Sequence, residues 1–290
     1  LATCKALVDD YSVDVLTLGE QCFDNYQDVI KEVDFIVTRR PGYTTMRNLT
    51  NRKKTVLPWN ELRYDINYGG NGGAMRCPCI GLAFWKEPER IKLVASAIEA
   101  CRSTHNSATG YLGGITSALF TSLAINKVEI EKWPYILVEL LMSDMIPKYL
   151  KETQGLKEFL RDRHEFINGW RTYIEYRYDN KKVKYVKAFR HNAYRISVFM
   201  ELFSRNKKDI SLVGSSGDDC VILAYDSLLM AKDNWEKLVT YAMLHVGDSD
   251  TVGCIAGAWY GAMYGLKNVN EMNLKYLEKK DKKRYGTILK

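Results

Sequence analysis

Proline is scarce in this 290-residue chain: there are six, all between Pro41 and Pro147, and everything beyond lacks the strongest helix breaker. The C-terminal half is therefore expected to be mostly helix. The seven cysteines (Cys4, Cys22, Cys77, Cys79, Cys101, Cys220, Cys254) are odd in number and scattered, which excludes the framework of a small secreted disulfide protein. They read as reduced thiols, in keeping with an expected cytoplasmic location. Cys77-Pro78-Cys79 lacks a second Cys/His pair at zinc spacing and lies in an apolar run, which assigns it to core packing. Histidine is limited to four, and no Ser/His/Asp or Cys/His grouping has a distinctive context, so covalent acyl transfer finds no support.

No zinc finger, basic zipper or RNA-recognition signature accompanies the net charge of +7, much of it in Lys-rich stretches near Lys181–Lys187 and Lys275–Lys290. Those stretches read as solvated surface and tail, and no nucleic-acid partner is expected. The uncharged run Thr251–Leu266 is shorter than the roughly 17–25 residues of a membrane-spanning helix. It is expected to be a buried core helix, and no membrane partner is expected. Asn48-Leu49-Thr50 matches a glycosylation sequon, a short pattern that no signal peptide supports.

What is present suits a globular fold. The hydrophobic share of 46% and the charged share of 27% lie near soluble averages, and 33.4 kDa can bury a large core. A single all-α domain over residues 1–290 is expected. Apolar residues recur at helical spacing over Leu7–Val33, Ile91–Cys101, Leu112–Ala124, Ile136–Leu150, Ala193–Phe203, Val221–Met230 and Leu238–Leu244. The alternating piece Tyr173–Val186 reads as a hairpin around Asp179-Asn180, or as a helix, a turn and a basic strand. The chain begins at Leu1 inside a helical run with no start signal before it, so an upstream segment is expected.

The glycines are of two kinds. Gly253, Gly257, Gly261 and Gly265 recur every four residues, which predicts a ridge that lets another helix approach closely. Gly69, Gly70, Gly72 and Gly73 flank Asn71 just before a helix expected near Met75, where they permit positive φ and expose backbone N–H groups. Such a loop is either an anion cradle or a plain turn.

The most informative stretch is His245-Val246-Gly247-Asp248-Ser249-Asp250-Thr251, which runs into the glycine-ridged helix. Two carboxylates about 5 Å apart repel by about 3 kcal/mol at an effective dielectric of 20. A helix N-terminus returns only about 0.3–1 kcal/mol per anion. Solvent or a cation must supply the balance, and hard oxygen donors of this kind suit Mg²⁺, Ca²⁺ or Mn²⁺. An exposed N-cap with an acidic first turn is the ordinary alternative. The turn Gly214-Ser215-Ser216-Gly217-Asp218-Asp219 is a second exposed helix start, suited to a phosphate or a ribose hydroxyl. Ser103–Tyr111 concentrates hydrogen-bonding side chains between two apolar helices, where His105 either contacts a ligand or satisfies a helix joint.

Together these segments resemble the ADP-ribosylglycohydrolases. Gly72-Gly73-Ala74-Met75-Arg76, Thr104-His105 with Thr109-Gly110-Tyr111, Gly214-Ser215-Ser216-Gly217, Ala224-Tyr225-Asp226 and Gly247-Asp248-Ser249-Asp250-Thr251 occur in that family's order. Met75–Leu82, Thr109–Leu123 and the run from Tyr264 to Glu278 look closest to its arginine-specific branch. The resemblance implies an all-α orthogonal helical bundle that removes ADP-ribose from arginine side chains, using two Mg²⁺ ions, or Mn²⁺. It implies metal ligation by Asp248, Asp250 and Thr251, with Asp248 and Asp250 catalytic. Gly69, Gly70, Asn71, Gly72, Gly73, Met75, Ser215, Ser216 and Gly217 are implied around the diphosphate and ribose, with His105 near the ligand and Tyr225 on the adenosine side. ADP-ribose or an ADP-ribosylated protein is the implied partner.

Departures from the family pattern define the alternative. The family's other metal motif, an acidic pair followed by Thr, is expected just upstream of Leu1; Asp9 and Asp10 follow the first helix instead. Val246 stands where glycine is usual and Asp218 where arginine-specific relatives more often carry histidine. A catalytically silent relative, serving as a binding or structural component of a larger complex, is the competing expectation.

Overall fold

Eighteen consecutive residues without a charge, Ala108–Ile125, form a helix with no face suited to water. A helix apolar all round belongs in a core, and every residue of it except Ile125 is buried. In the computed structural model this helix is the axis of the fold. The structure describes residues 62–184, 186–266 and 268–270, the segment 42–48, and positions 3, 4, 7, 20, 21, 23 and 24. The expected helix Leu7–Val33 and the C-terminal Lys-rich tail lie largely outside them.

From residue 72 onward the α-helices are α1 (Gly72–Arg76), α2 (Pro78–Ala83), α3 (Arg90–Arg102), α4 (Ala108–Ile125), α5 (Trp133–Met142), α6 (Met145–Glu152), α7 (Leu156–Arg177), α8 (Asn192–Leu202), α9 (Asp219–Ala231), α10 (Trp235–Met243) and α11 (Ser249–Tyr264). The all-α expectation holds. Helices α1, α2, α3, α7 and α11 all pack on α4, while α9, α10 and α11 pack on one another. Small residues make the close contacts. A side chain at Gly114 would fall 2.3 Å from Cys101 Sγ, and one at Gly81 would fall 2.1 Å from the Ala118 carbonyl. Cys77 and Cys101 are both fully buried with sulfurs 3.5 Å apart, as the core-packing reading of Cys77 anticipates. Phe120, on α4, centres an aromatic cluster with Trp133 and Trp259 at 5.2 Å and Trp170 and Tyr225 at 5.5 Å. Tilted and edge-on ring pairs of this kind stabilise beyond their buried area.

Four sequence expectations change. Ile136–Leu150 is two helices, because Ser143 turns extended (ψ 171°) between α5 and α6 and its Oγ accepts the Met145 N–H. The hairpin is confined to Tyr178–Asp179 (β1) against Lys182–Val183 (β2), with Asn180 and Lys181 both at positive φ. That pattern matches a two-residue turn whose twist suits paired strands; Tyr173–Arg177 belongs to α7. The glycine ridge on α11 is mostly open. A Cβ at Gly253 would meet Met243 at 2.7 Å, but one at Gly261 would meet nothing within 4 Å, and Gly265 ends the helix at φ +66°. Finally, among the described residues the longer apolar helix is α4 and not Thr251–Leu266; it is long enough to span a bilayer but is 94% buried within the protein. At the sequon, Asn48 is also buried, its side-chain amide donating to the Thr104 carbonyl.

Candidate functional site

The two glycine-containing turns face each other. Gly70 and Ser216 form an antiparallel bridge, with the Gly217 N–H donating to the Gly69 carbonyl at 2.8 Å and the Asn71 N–H to the Ser215 carbonyl at 3.2 Å. Ser216 Oγ also donates to the Gly69 carbonyl, at 3.0 Å. None of Gly69, Gly70, Gly72 and Gly73 has positive φ, contrary to expectation. They are glycine for space: a Cβ at Gly72 would fall 2.8 Å from His105 Cε1, and one at Gly73 would fall 2.7 Å from the Gly110 carbonyl. Only Gly214, at φ +91°, needs the left-handed region.

The second turn is fixed from below by Asp219. Its two carboxylate oxygens accept the N–H groups of Gly214 (3.1 Å) and Ser216 (3.0 Å). Burial, with the neighbouring Asp218 carboxylate, pushes Asp219 up to about 7. Asp218 itself accepts from Arg205 Nε at 2.7 Å, and the same guanidinium reaches Thr109 Oγ1 and Glu165. The sequence shows Asp218 and Asp219 as parts of a capping turn, and Asp218 as a departure from the family pattern, but assigns neither a role in the site. Two adjacent acids at a helix start, one of which must be buried, were the available signal.

The acidic entrance to α11 joins this pair of turns. Asp248 caps α11, and its N–H donates to the Val213 carbonyl at 2.8 Å, beside Gly214. Asn71 Nδ2 donates to Asp248 Oδ2 (2.7 Å), Thr251 Oγ1 (2.9 Å) and the Gly214 carbonyl (3.0 Å). Thr251 Oγ1 in turn donates to Met75 Sδ at 3.3 Å. Burial and a hydrogen bond to Asp250 push the Asp248 carboxyl up to about 6, while the same bond to Asp248 holds Asp250 below its usual value. Two neighbouring carboxyls, one of them partly buried, repel when both are ionised, and a cation between them relieves that repulsion.

His105 lies under the first turn and is buried. Arg76 Nη2 approaches its Nδ1 at 3.2 Å, and Thr104 Oγ1 approaches it at 2.8 Å. A guanidinium only donates, so Nδ1 accepts and the ring proton sits on Nε2, the atom nearest Gly70. Burial, with the Arg76 charge, holds His105 well below its ordinary value, so the ring stays neutral. A cleft of about 600 Å³ opens at Tyr68, next to Gly69, lined by Arg47, Arg63, Tyr64, Asp65 and Arg161.

Most expected site residues therefore meet: Gly69, Gly70, Asn71, Gly72, Gly73, Met75, His105, Ser215, Ser216, Gly217, Asp248, Asp250 and Thr251 form one connected region. Tyr225 does not. It is fully buried, its hydroxyl donating to the Ile130 carbonyl at 2.8 Å and meeting the Tyr178 hydroxyl at 2.6 Å. With its polar atom engaged inside the aromatic core, it cannot reach a ligand, and its expected place beside adenosine is corrected. Among the described residues no group of three or more His, Cys, Asp or Glu is placed to hold a metal. The donors at the α11 entrance are two carboxylates and a hydroxyl.

Comparison with known proteins places the chain in a family. The family profile described as ADP-ribosylglycohydrolase matches residues 1–288. The chain is 39% identical over 243 residues to a protein of Acanthamoeba polyphaga mimivirus described as an ADP-ribosyl glycohydrolase, spanning 83% of this chain and 46% of that one. It is 33% identical over 302 residues to ADP-ribosylhydrolase ARH1 of Dictyostelium discoideum, spanning 97% of this chain and 75% of the relative. The chain thus covers under half of the viral relative's length. A solved structure titled ADP-ribosylglycohydrolase-related protein complex superposes with a TM-score of 0.55 at 18% identity, covering 97% of this chain and 75% of the other, a likeness of fold alone.

Proposed function

Since this chain belongs to the ADP-ribosylglycohydrolase family, we propose that it releases ADP-ribose from arginine side chains of modified proteins by cleaving the N-glycosidic bond. The observation that carries the reading is the junction at Asn71, where the first glycine turn, the Gly214 turn and the Asp248–Thr251 motif meet within 2.7–3.0 Å. Had those acids splayed into solvent away from the turns, descent alone would remain. The resemblance of Met75–Leu82 and Thr109–Leu123 to the arginine-specific branch, and the similarity to the Dictyostelium ARH1, support arginine over other linkages.

The donors fit a hard cation. Asp248, Asp250 and Thr251 offer oxygen only, and the proton affinity of Asp248, raised to about 6, marks a place where added positive charge is favourable. Three donors are too few for two ions, so the two Mg²⁺ or Mn²⁺ ions implied by the resemblance need ligands from elsewhere in the protein. Bound there, such a cation supplies Lewis acidity and orients a sugar hydroxyl or a water. The remaining work falls to the chain itself. Neutral His105 presents a fixed Nε2–H toward the first turn at every physiological pH. The turns, too crowded for any side chain larger than glycine at Gly72 and Gly73, keep backbone against whatever enters. Asp219 holds the second turn rigid by accepting its Gly214 and Ser216 N–H groups, so the turn keeps its shape as a ligand enters.

The test is release of ADP-ribose by the full-length protein from arginine-linked and serine-linked substrates, with and without EDTA. Cation-dependent release from the arginine linkage is expected. Preferential release from serine would move the assignment to another linkage. Absence of release together with no heat of binding for ADP-ribose and Mg²⁺ would leave a structural or binding component of a larger complex.

A further inference from the structure

Asn71 was expected to touch the ligand, but its side chain is otherwise committed. It occupies the N-cap of α1, where an asparagine ordinarily turns its oxygen back to cap the helix; here no side-chain capping bond forms. The amide points the other way. Its two N–H bonds serve three acceptors: Asp248 Oδ2, Thr251 Oγ1 and the Gly214 carbonyl. The residue is itself clamped through its backbone, its N–H donating to the Ser215 carbonyl at 3.2 Å and its carbonyl accepting the Met75 N–H at 3.1 Å.

We propose that Asn71 is a positioning residue that presents Asp248 and Thr251 to a divalent cation, tying both to the two glycine turns. This rests on the reading that Asp248, Asp250 and Thr251 hold that cation. The residue type follows from the geometry. A carboxylate at this place would set a fourth acceptor among three, a hydroxyl would offer one donor where two are used, and a lysine would add the charge the cation is to supply. Without the amide, Asp248 loses the donor that fixes the orientation of its carboxylate, and the Gly214 carbonyl loses its tie to the first turn. Hydrogen bonds of this supporting kind orient ligands without touching the ion, and their removal costs about 10–100-fold in metal affinity.

Mn²⁺ uptake by the full-length protein, read by electron paramagnetic resonance, tests the proposal against a readout independent of turnover. Asn71→Ala is expected to weaken uptake by about 10–100-fold while the metal-free protein melts only slightly lower, for the lost hydrogen bonds. Asn71→Ser, which keeps one donor, is expected to fall between. Equal uptake by wild type and Asn71→Ala would overturn the role of Asn71 alone. A metal-free melting temperature that drops in both variants in step with lost uptake would make Asn71 a structural residue and overturn it too. A wild-type protein that takes up no Mn²⁺ would overturn the cation reading itself.

Discussion

Two aspartates, one in the core and one partly exposed, show how differently this fold treats the same side chain. Asp226, on α9, is fully buried, and Arg177 Nε, Arg195 Nε (both 2.7 Å) and Tyr173 Oη (2.8 Å) donate to it. Burial pushes its carboxyl up, but the two guanidiniums outweigh that and leave it below the ordinary value. Arg195 is further satisfied by the Leu223 and Tyr241 carbonyls and by Ser227 Oγ. Among the described residues no cation lies beside Asp248; its partners there are a neutral amide, a hydroxyl and a second acid, and it is pushed up to about 6. A core acid is neutralised by its own protein, whereas the acid at the α11 entrance is left in deficit. That deficit, more than burial or position in the sequence, separates a structural carboxylate from one poised for a ligand.

The sharpest way to break this contrast is substitution by asparagine at both positions. Asp226→Asn should lower unfolding free energy in denaturant by about 3–5 kcal/mol, because it strands two buried guanidiniums. Asp248→Asn should change it by less than about 1 kcal/mol, since that site carries no compensating charge to strand. ADP-ribose release should instead fall by about 100-fold or more, the scale of losing one electrostatic contact. Comparable destabilisation by the two variants would end the distinction.

Smaller in size is the pH response, in which Asp226 and Asp219 should have opposite signs. Asp226 titrates lower in the folded state, so its contribution is present above about pH 4 and lost as pH falls further. Asp219 is raised to about 7, so the folded protein holds the extra proton between about pH 4 and 7 and loses stability as pH rises through that window. Removing the ionisation with Asp219→Asn should flatten the fall by on the order of 2 kcal/mol. An unchanged slope between pH 5 and 8 would refute the assignment. Smallest is Tyr225→Phe, expected to cost about 1 kcal/mol for its buried hydroxyl bonds and to leave ADP-ribose release unchanged. A drop in release would return Tyr225 to the site.

Much of this contrast was hidden in the chain. Asp226 and Asp248 both occur in motifs that follow the family order, and nothing local to Ala224-Tyr225-Asp226 says that Arg177 and Arg195 close on it from helices α7 and α8. The helical segments themselves were legible. Ile91–Cys101, Leu112–Ala124, Ala193–Phe203, Val221–Met230 and Leu238–Leu244 all fall in helices or within a residue of their ends, since apolar spacing is a local property. The long helix α7 was missed because Glu, Arg and Asp interrupt its apolar stripe, and only five fully apolar or aromatic side chains along it are buried.

What the sequence alone determined is the helical class, the family pattern and the list of segments able to do chemistry, because spacing, capping and turn residues act over a few positions. Tertiary structure decided which members of that list meet. Asn71 lies 177 residues from Asp248, and Gly69 lies 147 from Ser216. Whether they touch depends on helices packing around α4, and on small residues, Gly113 and Gly217 among them, that let backbones close to distances no larger side chain would allow.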